Sequence, residues 1–413
     1  MKIEIVSIGD ELLKGRIVNS NASFLCRHLQ QEGYSVLRQT TLTDQPELLR
    51  EGLKEALARS DLVISTGGLG PTLDDCTREV AAEIYRCGFH FDQKLSDSLK
   101  EKYKERYHAV EDQARVPSKA HLLANRVGSA PGLLFTEDGR SLILMPGVPK
   151  EMEPMFLEQV LPLLKEKWPC DERKTMVQLN FCLVYESLLD PHLRELSKKY
   201  PSVEAGIYPG HGVLSVLLLS SKADQVENFE KEMRERFGNY IFESKSGKIE
   251  EALQTWFVKE GKTVAFAESC TGGALAAQVT SMAGSSDYFL GSLVVYTNAM
   301  KQELLGVSKQ TLASKGAVSE AAVREMLEGL FKKTQANFAI AVSGIAGPAG
   351  GTADKPVGTV WAAIGERGKT PDVGQFMSYG SRQTIILSVS NHLLGALWRK
   401  VERGIPAFPF LNE

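Results

Sequence analysis

The stretch Ala267 to Gly273 reads A-E-S-C-T-G-G. It joins an apolar run of strand length, Thr263 to Ala267, to Ala274 to Met282, whose small and apolar residues suit a helix. It is therefore a strand-to-helix turn. Two glycines let a ligand come close to the backbone, and the first amides of a helix have no intrahelical partner. The turn is thus suited to hold a phosphate or a developing oxyanion. Ser269 stands at its mouth, either as a nucleophile or as a helix cap.

Working outward, Gly291 to Lys301 reads G-S-L-V-V-Y-T-N-A-M-K: a strand ending at Tyr296, then a helix capped by Asn298 and running through Lys301, Leu304 and Leu305. Lys301 falls in the first turn, where the helix dipole disfavours a cation and would lower the amine's pKa toward that of a general base. The plain alternative is an exposed, hydrated lysine. Of seven histidines only His392 lies beyond Gly212, and its setting, S-N-H-L-L-G-A-L-W, marks it as a packed or surface helical residue. A serine hydrolase in this region would therefore use Lys301, with Tyr296 relaying a proton or fixing the amine. Cys270 is a rival nucleophile, because a thiol at a helix N-terminus can be acidic.

Residues 1–168 alternate strand and helix patterns. Lys2 to Ile8 is a strand, Asn21 to Gln31 a helix stopped by Gly33, Tyr34 to Leu42 a strand, Pro46 a helix start, and Asp61 to Ser65 a short buried strand. This βαβαβ order predicts an α/β fold with a largely parallel, doubly wound sheet whose ligands gather beyond the strands' carboxyl ends. Three motifs fall at that edge. They are G-D-E-L-L-K-G (Gly9 to Gly15), T-G-G-L-G-P-T-L-D-D-C-T (Thr66 to Thr77) and M-P-G-V-P-K-E-M (Met145 to Met152), the last with Pro149 suited to a first helical turn. Asp10, Glu11, Asp74 and Asp75 bring carboxylates to a rim that also holds phosphate-binding turns. A bridging divalent metal explains that economically, and some of these acids serve instead as caps, with Asp75 or Thr77 opening the next helix.

Residues 169–245 read as a small α/β module. It has a strand from Thr175 to Val184, a helix opened by Asp190-Pro191, a hairpin around Pro209-Gly210-His211-Gly212 and a helix from Ala223 to Phe237. It carries no catalytic constellation, so a spacer or dimerisation role is expected. Ser244 to Lys248 is a linker, and residues 246–413 form the third domain. There Asn337 to Val342 and Val357 to Ile364 are strands flanking S-G-I-A-G-P-A-G-G (Ser343 to Gly351). Ser343 ends its strand much as Ser269 does, so the two turns are expected to face one site. Gly380-Ser381-Arg382 opens the final helix.

A net charge of −3 with 24% charged residues argues against a dedicated nucleic-acid surface, and no apolar stretch is long enough to span a membrane. The first residues lack a signal-peptide apolar region, so a cytoplasmic protein is expected. Six cysteines without a C-x-x-C pair argue against a structural zinc or a disulfide framework.

The set A-E-S-C-T-G-G, V-Y-T-N-A-M-K, G-A-V-S-E (Gly316 to Glu320), S-G-I-A-G-P-A-G-G and K-P-V-G-T-V (Lys355 to Val360) resembles the C-terminal domain of the CinA family, the competence/damage-inducible proteins. That resemblance implies hydrolysis of nicotinamide mononucleotide to nicotinate mononucleotide and ammonia, without a cofactor. Ser269 would be the nucleophile, Lys301 its base and Tyr296 a partner. Cys270, Thr271, Gly272, Gly273, Ser343 and Gly344 would line the substrate, and Arg382 would hold its phosphate. The family usually has an acidic residue where Ser381 stands, which leaves Arg382 with less to orient it. The three N-terminal motifs resemble the family's N-terminal domain, which shares its fold with molybdopterin-binding proteins. That domain is associated with metal-dependent cleavage of ADP-ribose to AMP and ribose 5-phosphate. Asn21, Thr66, Gly67, Gly68, Gly70 and Gly147 would bind the nucleotide, and Asp10, Glu11, Asp74 and Asp75 the metal. The middle segment corresponds to a KH-like module but lacks the lysine-flanked G-x-x-G loop of an RNA binder. A homodimer is also implied. The rival reading is a nucleotide- or pterin-binding adaptor with one silent domain, acting through partners in competence or DNA repair.

Overall fold

The computed structural model describes residues 1–72, 75–104, 109–170 and 174–410, and the chain divides into two compact units, Met1–Arg173 and Lys174–Glu413.

The first unit is built on a six-stranded sheet in the order Val36–Leu42, Ile3–Ile8, Leu62–Thr66, Arg140–Met145, Gly132–Glu137, His121–Leu123. The first four strands run parallel, and the last two are joined on through antiparallel pairings. Ile3–Ile8 and Leu62–Thr66 are buried along their whole length, as strands covered on both faces must be. On one face the helix Ser20–Gln31 sets Ala22, Leu25 and Leu29 into a core with Ile3, Ile5 and Met152. On the other, the helix Pro46–Arg59 sets Leu49, Leu53, Ala56 and Leu57 against Val6, Val63 and Leu142. This is the doubly wound arrangement the pattern predicts.

The second unit carries two sheets. One is four-stranded and antiparallel, ordered Glu204–Pro209, Val213–Ser220, Thr175–Cys182, Ile241–Phe242, and is covered by the helices Glu186–Lys199 and Ala223–Phe237. The helix expected to open at Asp190-Pro191 begins a turn earlier, at Glu186, with Pro191 inside it. Leu189, fully buried on the same stripe as Leu193 and Leu196, extends the helix backward, and that burial outweighs the one backbone bond the proline cannot make.

The other sheet is ordered Phe289–Val294, Val264–Glu268, Phe338–Gly344, Thr359–Glu366, Asp372–Met377, with three parallel strands extended by two antiparallel pairings. Its faces differ in side-chain size. Val264, Phe266, Ile340 and Val342 form a bulky face with the helices Ile249–Glu260 and Arg382–Arg403. Ala265, Ala267, Ala339 and Ala341 form a shallow face under the helix Glu320–Lys333. Cys182 and Phe242 of the four-stranded sheet, with Leu183 just past the strand end, enter the bulky-face core. A side chain at Gly395, in the middle of the last helix, would stand 2.8 Å from Cys182 Cβ, so glycine there lets the helix lie against that strand. Among the described residues no helix is long and apolar enough to cross a membrane.

Candidate active site

The strand Val264–Glu268 ends at the A-E-S-C-T-G-G turn, and the helix Ala274–Thr280 follows it. The ladder continues one residue past the strand, because the Ser269 amide donates to Val342 O at 3.1 Å. Ser269 is thereby pinned beside Ser343, at the end of the neighbouring parallel strand. A side chain at Gly344 would come within 3.0 Å of Cys270 Sγ, so the two turns adjoin as expected.

The helix carrying Lys301 spans Asn298–Leu305, and its cap is Thr297, whose hydroxyl accepts from the Met300 amide at 3.2 Å. Asn298, expected as the cap, is the first helical residue. Both side chains can cap, so the sequence alone leaves the frame open by one. Lys301 is 1% exposed, and its amine lies 2.8 Å from Ser269 Oγ while donating to Val295 O at 2.8 Å and Tyr296 O at 3.2 Å. Burial pushes its pKa below the ordinary lysine value, with the nearby Cys270 acting weakly the other way. The expected direction holds, but the cause is desolvation rather than the helix dipole.

Glu268 corrects the expectation that the helix amides face a ligand. Its fully buried carboxylate accepts from the amides of Gly273 (2.9 Å), Leu275 (3.1 Å) and Ala276 (3.1 Å) and from Ser292 Oγ (2.9 Å). The helix has no other side-chain cap, so Glu268 fills that role from the strand before it. The Gly272 amide is turned inward to Ser269 O and the Ala274 amide to Thr271 O. Among the described residues the amides of Cys270 and Thr271 have no acceptor on another residue, and the Thr271 hydroxyl is buried without a partner. These are the donors open to a substrate. Gly272 and Gly273 take positive φ angles of 63° and 101°, which is what the turn requires of them. Glu268 had a visible signal, an acid closing a buried strand just ahead of an uncapped helix.

Tyr296 meets the amine only through its carbonyl. Its half-exposed phenol accepts from Arg382 at 2.8 Å, so the proton relay assigned to it has no geometric basis. Arg382 also donates to Gly347 O at 2.7 Å, and these two bonds supply the orientation that an acid at 381 would give. Ser381 caps the helix, accepting from the Thr384 amide at 3.2 Å. Burial raises the Cys270 pKa to about 12, the opposite of what a nucleophilic thiol needs. His392 is packed in the core, as its helical setting predicts.

In the first unit Gly67, Gly68 and Gly147 stack where three strands end. A Cβ at Gly67 would lie 2.1 Å from Ile8 O, one at Gly68 2.1 Å from Thr77 Oγ1, and one at Gly147 3.3 Å from Gly67 Cα. Thr66 is buried in register with Met145. Asn21 donates to Gly147 O at 2.7 Å, while its buried Oδ1 has no partner among the described residues.

The carboxylates at this edge are engaged elsewhere. Asp10 accepts from Lys14 Nζ and Thr43 Oγ1, both at 2.6 Å, which hold its pKa down at about 2. Glu11 folds back over Gly9. Asp75 closes its own turn on the Thr72 amide at 3.0 Å, beneath Gly70. The next helix is Thr77–Ile84, with Cys76 at its cap position. Asp74 lies outside the described residues. Among the described residues no three acidic, histidine or cysteine side chains converge as a metal centre, so Asp10, Glu11 and Asp75 as placed do not by themselves compose one.

Two family models match the chain: the CinA C-terminal domain over residues 246–401 and a probable molybdopterin binding domain over residues 4–166. A CinA-like protein of Thermotoga neapolitana is 39% identical over 392 residues, covering 93% of this chain and 94% of the relative. A putative competence-damage inducible protein of Symbiobacterium thermophilum is 40% identical over 381 residues, 89% of each. Among solved structures, the competence/damage inducible protein CihA from Agrobacterium tumefaciens is 40% identical and covers 38% of this chain and 95% of its own, with a TM-score of 0.36. With a family model at each end and relatives aligned over almost the whole length, the chain belongs to the CinA family.

Proposed function

We propose that the second unit is an amidohydrolase that converts nicotinamide mononucleotide to nicotinate mononucleotide and ammonia with Ser269 as nucleophile and Lys301 as base. The reading rests above all on the 2.8 Å approach of a buried amine to Ser269 Oγ. A neutral lysine has two N–H donors and one lone pair. The carbonyls of Val295 and Tyr296 take the two donors, which leaves the lone pair for the Ser269 proton.

As Oγ attacks the carboxamide carbon, Lys301 takes the hydroxyl proton, and the oxyanion forms against the amides of Cys270 and Thr271. Collapse breaks the C–N bond, and the proton held by Lys301 leaves with the nitrogen as ammonia. The neutral amine then deprotonates a water that attacks the ester, releasing the carboxylate and restoring Ser269. Arg382, at the exposed rim, would pair with the substrate phosphate. Purified protein given nicotinamide mononucleotide should release one ammonia for each nicotinate mononucleotide formed. No ammonia at neutral to alkaline pH would remove the reading.

For the first unit a second reading is favoured by the unpartnered Asn21 Oδ1 beside glycines that exclude any side chain: it binds ADP-ribose there and releases AMP and ribose 5-phosphate. Asp10 and Asp75, now held by Lys14 and Thr72, would have to leave those partners to hold a divalent ion, which would supply positive charge at the pyrophosphate. AMP release is therefore expected with magnesium or manganese and not in chelator. Binding of ADP-ribose without AMP under either ion would leave the unit a binder.

A further inference from the structure

A cavity of about 280 Å³ lies in the second unit where the tip of the hairpin formed by Glu204–Pro209 and Val213–Ser220 meets the helix Arg382–Arg403. Its wall is fixed by close contact. A side chain at Gly212, whose φ is +76°, would stand 2.8 Å from Ser388 O, and Asn391 Nδ2 donates to His211 O at 2.5 Å. Tyr185, Pro209, Met377 and Tyr379 give the cavity apolar and aromatic walls, and Ser378, Ser388 and His392 give it polar points.

His392 is the decisive group. It is only 9% exposed, its ring lies 5.7 to 6.4 Å from those of Phe410, Phe376 and Tyr185, and its buried Nδ1 has no hydrogen-bond partner among the described residues. Burial brings its pKa down to about 4, so the imidazole is neutral at physiological pH. The ring forms part of the cavity wall, with its Cδ2 edge toward Gly212, and a buried ring nitrogen without a partner calls for one.

We infer that this cavity is a second ligand site, separate from the Ser269 turn, and that it takes an unphosphorylated nucleoside. The aromatic walls suit the face of a base, which stacks whatever its identity. The neutral imidazole and the two serine hydroxyls suit a base edge bearing donors and acceptors. Among the described residues Glu186 is the one ionic side chain lining the cavity, so ribose hydroxyls are welcome and a phosphate meets no cation there. The volume sits near the lower end of ligand pockets, about 300–1,000 Å³. Ser388 and His392 stand six and ten residues beyond Arg382 on one helix, roughly 9 and 15 Å along its axis.

The test is calorimetric titration of the full chain with adenosine and with AMP. Adenosine should bind and AMP should bind roughly tenfold more weakly or worse, as one unpaired phosphate beside a carboxylate implies. Tyr379→Ala, at a residue 75% exposed and so safe for folding, and His392→Phe, which extends the aromatic cluster, should each weaken adenosine by roughly tenfold. No binding of adenosine, equal binding of AMP, adenosine retained at full strength in both variants, or its displacement by nicotinamide mononucleotide would each overturn the assignment.

Discussion

Lys301→Met should lower ammonia release from nicotinamide mononucleotide by about four orders of magnitude, the upper range for losing a positioned general base. Methionine keeps the stem that packs in the buried site and removes only the amine, so folding should survive. Because Ser269 and Lys301 act as one unit, Ser269→Ala combined with Lys301→Met should be no slower than the worse single variant. Turnover in the wild type should rise with pH through the depressed pKa of Lys301, since only the unprotonated amine can take the serine proton. Stability follows the same sign. The folded chain loses that proton at lower pH than the unfolded chain, which holds it up to the ordinary lysine value. Between the two the unfolded state binds the extra proton, and stability rises with pH. A Lys301→Met variant should lose this rise, which parallel unfolding titrations at several pH values would read.

The second large effect is structural. Glu268→Ala should destabilise the second unit by about 3–4 kcal/mol, because it strands the amides of Gly273, Leu275 and Ala276 in a buried place without acceptors. For a unit of this size that is roughly 10 °C in Tm. Glu268→Gln should recover only part of the loss, since its NH2 group must face an N–H donor. Ammonia release measured well below either variant's Tm should also fall, because the turn that aims the Cys270 and Thr271 amides would be free to shift. A Glu268→Ala protein that melts with the wild type would show that water or another group caps this helix.

What the sequence allowed to be read was what periodicity and turn chemistry encode locally. Leu49, Leu53, Ala56 and Leu57 announce their helix, Gly380-Ser381-Arg382 its start, and A-E-S-C-T-G-G its strand-to-helix turn. Ser269 and Lys301 were legible as chemistry because the chain beyond Gly212 offers a single histidine and that one is packed. What escaped depends on groups distant in sequence. The burial that perturbs Lys301 comes from tertiary packing, and no propensity reports it. Pro191 stands inside a helix because Leu189 must reach the core. Asp10 and Asp75 look like metal ligands in the sequence, yet Lys14 and Thr72 satisfy them locally. Tyr296 lies beside the amine in sequence, but its phenol turns toward Arg382, 86 residues on.

The most direct test of the central claim is to acid-quench the enzyme in mid-turnover with nicotinamide mononucleotide and map the acylated peptide by mass spectrometry. The account predicts an ester on Ser269, cleaved by hydroxylamine and missing from Ser269→Ala. A thioester on Cys270, or full turnover by Ser269→Ala, would contradict it.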